Sequence, residues 1–404
     1  IRIIAETAKV KCETQILEKE EIMPKKNWLI ITVVIIIIFI IIYAFIKPAH
    51  LSKPKEVFKI GAILPLTGNL AFMGEMEKNA ISLAQKDIDN ITLTENKRIE
   101  IILGDSKGDN KEAAALAQKF IQIDKVNALW TSLTGVSFAV EPIATANKVL
   151  QIAFCMDPDI SKRSPYVFRL YEGMMEEGQA LMNFLKEDKL SKSVGIIYVR
   201  IPATEKVVNY LFIPELKKQG KDIKVIESYE LQNRDFRNLL IKVGLARPDI
   251  LIIYDYGFSL PFIYDGLNAT GLLNKVKILG GWGYLYSLIS GSVRPSLLEG
   301  VVVAGPKFIT EKTQKAVEFI SKFKQSFNME PNFDGGFTYD SMMILYEALK
   351  KCTSFDINNV ITNLAEIKDY EGVMGTMTIS DRELKVEMTI GVIESGKVVP
   401  LSKR

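Results

Sequence analysis

From Val57 onward the chain alternates short, β-rich and mainly apolar runs with amphipathic stretches, and no other feature narrows the fold as far. The runs "FKIGAIL" (58–64), "RIEIIL" (98–103), "VNALWT" (126–131) and "VLQIAF" (149–154) read as a first set of strands. A second set follows in "SVGIIYV" (193–199), "IKVIES" (223–228), "DILIIY" (249–254), "VKILG" (276–280) and "GVVVAG" (300–305). Between them lie stretches such as "NKEAAALAQKFIQID", whose Ala114, Leu116, Ala117, Phe120 and Ile121 share one helical face. A strand apolar along its whole length has no solvated side, so the pattern predicts parallel sheets covered by helices on both faces.

The strands fall into two blocks of similar layout, 57–170 and 171–304, without a convincing sequence repeat. Beyond them, "TQKAVEFISKFKQSF" and "YDSMMILYEALKKC" read as helices, "PNFDGG" (331–336) as the turn between them, and "TMTIS" and "EMTIGVIES" as late strands. The order predicts an α/β protein of two Rossmann-like lobes, with the chain recrossing between them. Lobe 1 is expected to comprise 57–170 and 305–372, and lobe 2 to comprise 171–304 and 373–404. In such sheets ligands sit beyond the carboxyl ends of the strands, where helix N-termini offer free N–H groups. The loops after the strands are therefore the candidate site.

Composition mainly excludes. At 404 residues the chain is long enough for two lobes of ordinary size, and 25% charged residues with a net charge of +3 give no basic patch for nucleic acid. The single histidine, His50, lies outside the alternating region, which removes His-based triads and His-ligated zinc from the body. Cys12, Cys155 and Cys352 show no metal-like spacing, and a Cys155–Cys352 bridge would be a guess. "GDSKGDN" has two acids and a turn glycine but too few ligands for a calcium loop. No cofactor or metal is expected.

Ahead of the body stands "WLIITVVIIIIFIIIYAFI", Trp28–Ile46, without a charge. At helical rise it spans roughly 28 Å, close to a hydrocarbon core. "MPKKN" before it suits the positive end of a secretory signal, but the stretch is long for one and "IKPAHLS" offers no small-residue cleavage site. It is read as an uncleaved transmembrane signal-anchor, followed by a polar stalk over 47–56. Residues 1–27 form a tail, of which 1–22 precede Met23, a candidate initiator, and are either a translated extension or a short cytoplasmic segment. Lysine counts on the two sides do not orient the span.

Three stretches carry a family resemblance. "IGAILPLTGNLAFMGEMEKNAISLA", "GDSKGDNKEAAALAQKFI" and "DILIIYDYGFSLPFIYDGLNATGL" occur in the order and spacing of type I periplasmic binding proteins of the branched-chain amino-acid ABC transporter family. The sequence over about 57–400 resembles that family. The resemblance implies a multi-crossover hinge between the lobes and a non-enzymatic, monomeric receptor that closes on a small solute. It further implies an ABC permease with cytoplasmic ATPases as partners, which puts the body outside the cell on a membrane anchor. A ligand-sensing ectodomain signalling through a partner is the alternative, and a carboxylate-based enzyme a third.

The resemblance also points to residues. Phe72 and Met73 stand on the loop that walls the family's cleft, although plugging the core is the competing use. Thr134 stands at the family's small hydroxyl, beside Gly135 and the helix amides that receive a ligand carboxylate; simple helix capping is the alternative. Cys155, Met156 and Asp157 replace a small–Ala–Thr run. Asp157 would repel a carboxylate in the usual pose, or hold an ammonium in a reversed one, or start a turn and point away. Tyr256 matches a ring or polar contact, while Ala203 stands at a cleft tyrosine. Trp282, in "GGWGY", stands where amino-acid receptors carry the acid for the ligand's ammonium, and its glycine neighbours suggest an exposed ring. These departures predict an aromatic or amide-like ligand over aliphatic amino acids.

Overall fold

The apolar runs form two sheets of one design. The computed structural model describes residues 56–91, 97–171, 173–310 and 313–401, all within the unit Lys55–Arg404. The tail and the anchor span Trp28–Ile46 lie outside the described residues, among which no helix is long and apolar enough to cross a membrane.

In the first sheet β1 (Glu56–Leu64), buried from Ile60 to Leu64, is flanked in parallel by β2 (Lys97–Asp105) and β3 (Ala128–Ser132). β4 (Leu150–Phe154) and β5 (Val167–Arg169) continue the row in parallel. The second sheet repeats this with β6 (Ser193–Val199) between β7 (Asp222–Tyr229) and β8 (Ile250–Tyr254), then β9 (Lys277–Gly280) and β10 (Val302–Pro306). Each half thus has its first strand inside the sheet, with the order reversing beside it, which is where doubly wound sheets hold ligands.

Both sheets are extended at the same side by the end of the chain. β13 (Glu383–Val386) pairs in parallel with β5, and β12 (Thr376–Ser380) and β11 (Tyr370–Glu371) follow antiparallel. β14 (Met388–Glu394) and β15 (Lys397–Pro400) add to β10 as an antiparallel hairpin. The sheets are therefore parallel in their centres and antiparallel at one edge. "TMTIS" belongs to the first sheet, and the lobe boundary expected at 372/373 moves to Glu387. The cause is an ion pair between distant residues: Arg169 of β5 is fully buried and needs a buried carboxylate, which Glu383 of β13 supplies at 3.0 Å.

The stretch Pro331–Gly336 is not a free turn. Asn332 caps the helix Phe333–Lys351 by accepting from the Gly335 amide at 3.0 Å. Gly335 and Gly336 sit inside its first turn because the helix presses on Met76 and Met374; a Cβ at Gly336 would stand 2.3 Å from the Met374 sulfur. This helix packs along Ala71–Ile91 of the first half and so brings its N-terminus toward the strand ends.

Candidate functional site

Where the carboxyl ends of the two sheets face each other they enclose a cavity of about 170 Å³. Its first wall is built by the segments after β1, β3, β4 and β5, and its second by those after β8 and β9. A larger open groove of about 920 Å³ lies between the helices Arg237–Ala246 and Leu260–Ala269. That groove includes Pro248 and Asp249 at the amino end of β8, the wrong end for a ligand in this sheet class.

The structure brings together Met73, Thr134, Cys155, Met156, Tyr256 and Trp282 around the cavity. Phe72 instead stands at the rim, 44% exposed, with its ring 5.8 Å from that of Tyr286 in the opposite half. Thr134 is the first residue of the helix Thr134–Ala146, not its cap. The cap is Leu133, held at φ 77°, a region costly for a side chain of that kind, and it too lines the cavity. Gly135 faces Asn110 outside the cavity, where a Cβ would come within 2.8 Å of Oδ1.

Cys155 is buried, and burial pushes its thiol up to about 12, far from a nucleophile's range. Asp157 turns away from the cavity. One carboxylate oxygen accepts from the Asp159 amide at 3.0 Å and pairs with Lys206 of the second half at 3.4 Å, and Lys206 also binds Asp159. A reversed pose with an ammonium at Asp157 therefore meets a carboxylate already in use.

Trp282 is 5% exposed, so the flanking glycines do not expose it. They let the backbone press against its neighbours: a Cβ at Gly281 would stand 1.8 Å from Glu177 Oε1, and one at Gly283 2.0 Å from the Asp255 carbonyl. The indole stacks on Tyr286 at 5.1 Å and 13° and meets Tyr256 and Phe333 edge-on. Its Nε1 donates to Tyr171 Oη at 3.2 Å, and Tyr171 Oη donates to Asp334 Oδ1 at 2.6 Å. Because Phe333 and Asp334 open a helix of the first half, this chain of bonds joins the halves. Ala203, small and buried on the helix Pro202–Val207, adds no ring.

Three buried carboxylates at the site were missed by sequence reasoning. Glu77 lines the cavity, accepting from Ser132 Oγ at 2.5 Å and from Trp130 Nε1 at 3.4 Å. Burial pushes it up to about 8, although the Ser132 and Trp130 bonds oppose the rise. Burial also lifts Asp334 to about 6 against the Tyr171 and Asn332 bonds. It raises Glu177 against the bond from the Trp282 amide at 2.9 Å. The available signal for Glu77 was its spacing: four residues after Met73, it shares that residue's helix face. Asp334 was hidden by its apparent turn.

Two doubly wound halves closing on a cavity at facing strand ends define a two-lobed solute-binding protein. Residues 57–397 match the periplasmic binding protein family, and the chain belongs to it, among the type I proteins of the branched-chain amino-acid group. It is 21% identical over 315 residues to the Leu/Ile/Val-binding protein homolog 7 of Brucella abortus, covering 74% of this chain and 78% of that one. Two solved structures share its fold. One is the branched-chain amino acid transporter substrate binding protein LivJ of Streptococcus pneumoniae in complex with isoleucine, with a TM-score of 0.72, 22% identity, and coverage of 85% of this chain and 98% of that one. The other is a solute binding protein of an ABC transporter from Rhodopseudomonas palustris in complex with 3,4-dihydroxybenzoic acid, with a TM-score of 0.73, 24% identity, and coverage of 85% and 95%.

Proposed function

We propose that the protein is an extracytoplasmic receptor that closes on one small organic solute with a ring-sized apolar body and delivers it to an ABC permease driven by cytoplasmic ATPases. It binds and does not catalyse. Trp28–Ile46 tethers a monomeric body to the membrane. The observation that carries the reading is the cavity itself, walled by rings from both halves and placed at the strand ends where this fold takes ligands.

Size supports the ligand class. The cavity of about 170 Å³ is close to the ~150 Å³ of a dry apolar cavity that holds benzene. Relatives of this fold bind both aliphatic amino acids and hydroxylated benzoic acids. Trp282 standing where amino-acid receptors carry an acid favours a ring-bearing or amide-like solute over leucine or valine here. A thermal-shift screen of the full chain in detergent tests this. A fitting solute at a hundred times its dissociation constant is expected to stabilise by about 2.7 kcal/mol. Strong stabilisation by leucine or valine, with no loss in Trp282→Ala, would overturn the ligand class.

A further inference from the structure

Resting on the receptor reading above, we infer that the solute carries a protonated amine, and that Glu77 together with the surrounding rings is the site that recognises it. Among the described residues lining the cavity there is one carboxylate, Glu77, and no Lys, Arg or His. The rings of Phe154, Tyr171, Tyr256, Phe258 and Trp282 border the same space. Ring faces attract cations, most strongly where water is excluded, and ring cages are how ammonium groups are commonly read.

Glu77 is wholly buried yet not saturated. A carboxylate accepts about four hydrogen bonds, and Ser132 and Trp130 account for two, one of them long. The groups facing it are Ser132 and Trp130 of β3 and, from the helix Phe333–Lys351, the carboxylate of Asp334, which raises it further. Tyr171, Cys155 and Tyr256 are the other titratable groups on the cavity wall. With none of them cationic, the empty site keeps Glu77 protonated at neutral pH, burial having pushed it up to about 8. An arriving ammonium supplies the missing charge. Glu77 then ionises, its proton leaves to solvent, and the carboxylate pairs with the amine. An arriving carboxylate would add a third acid beside Glu77 and Asp334.

The test is calorimetry on the full chain in detergent at pH 7, with three probes of one shape: benzylamine, benzyl alcohol and benzoate. Each titration is repeated in two buffers of different ionisation enthalpy, which counts protons released. Benzylamine is expected to bind at least tenfold more tightly than the other two and to release close to one proton. Glu77→Gln is expected to abolish that preference and the proton release, leaving benzylamine no tighter than benzyl alcohol. Proton release by the unaltered protein keeps the test valid should the variant fold poorly. Benzoate or benzyl alcohol binding as tightly as benzylamine, or benzylamine binding without proton release, overturns the amine assignment and leaves the receptor reading standing. If none of the three binds, the amine assignment falls, and the receptor reading is judged by the thermal-shift screen alone.

Discussion

The two halves share one strand order, yet they build unlike walls. The first contributes polar groups as well as rings: the Glu77 carboxyl with its Ser132 hydroxyl, the helix amides after Leu133 and that residue's strained backbone, beside Phe154 and Tyr171. The second contributes rings alone, Tyr256, Phe258 and Trp282, with Tyr286 stacked behind the indole. Its own nearby acid, Glu177, is spent on the Trp282 amide. A single architecture therefore leaves the placing of polar groups to its loops, consistent with loops carrying function on a rigid scaffold. The halves also differ in how they hold their late strands. β14 joins β10 over five residue pairs, whereas β13 meets β5 at the single pair Glu383–Arg169.

That last difference should give the largest effect. Arg169→Ala leaves Glu383 in the interior with Lys385 at 2.8 Å as its remaining cation and is expected to cost about 3–5 kcal/mol. Urea unfolding measures it; a loss below about 1 kcal/mol would mean that β13 is held by its backbone alone. Trp282→Ala removes the main surface of the second wall and the bond to Tyr171, at about 3 kcal/mol of stability. Solute affinity should fall at least tenfold, read by calorimetry.

The acid of the first wall is tested by pH. Its folded value near 8 lies above the ordinary 4.5, so its contribution is fullest below 4.5 and fades as pH rises through about 8. The ligand-free protein should lose stability across that window, with Glu77 adding at most about 1.4 kcal/mol per pH unit. Glu77→Gln should flatten the slope by this share, followed by melting temperature against pH. The smallest effect belongs to the rim. Phe72 and Tyr286 touch across the halves while Phe72 stays half in water, so a double-mutant cycle of Phe72→Ala with Tyr286→Leu should give about 0.5–1 kcal/mol of coupling.

Strands that are apolar throughout were legible in the sequence because burial on both faces leaves no other use for such runs. β6 and β12 match their expected limits residue for residue. The three residues of β5 and four of β13 were not legible, since neither is long enough to show a period and a distant ion pair fixes their place. Trp282 was placed near the ligand by resemblance, but its indole is buried against residues distant along the chain, Phe333 and, 111 positions away, Tyr171. "PNFDGG" misled because glycines used for helix contact look like glycines used for turning. Sequence spacing reveals faces; it does not reveal which distant face will press against them.

The bonds that tie the halves together respond to different things. Lys206 holds Asp157 and Asp159 in partial contact with water, so dissolved ions weaken its grip. The run from Trp282 through Tyr171 to Asp334 is sealed from solvent, and ions do not reach it. A receptor fastened in this way would meet brackish and dilute surroundings with one clasp loosened and the other unchanged, so salt could speed the release of its cargo without altering which cargo it prefers.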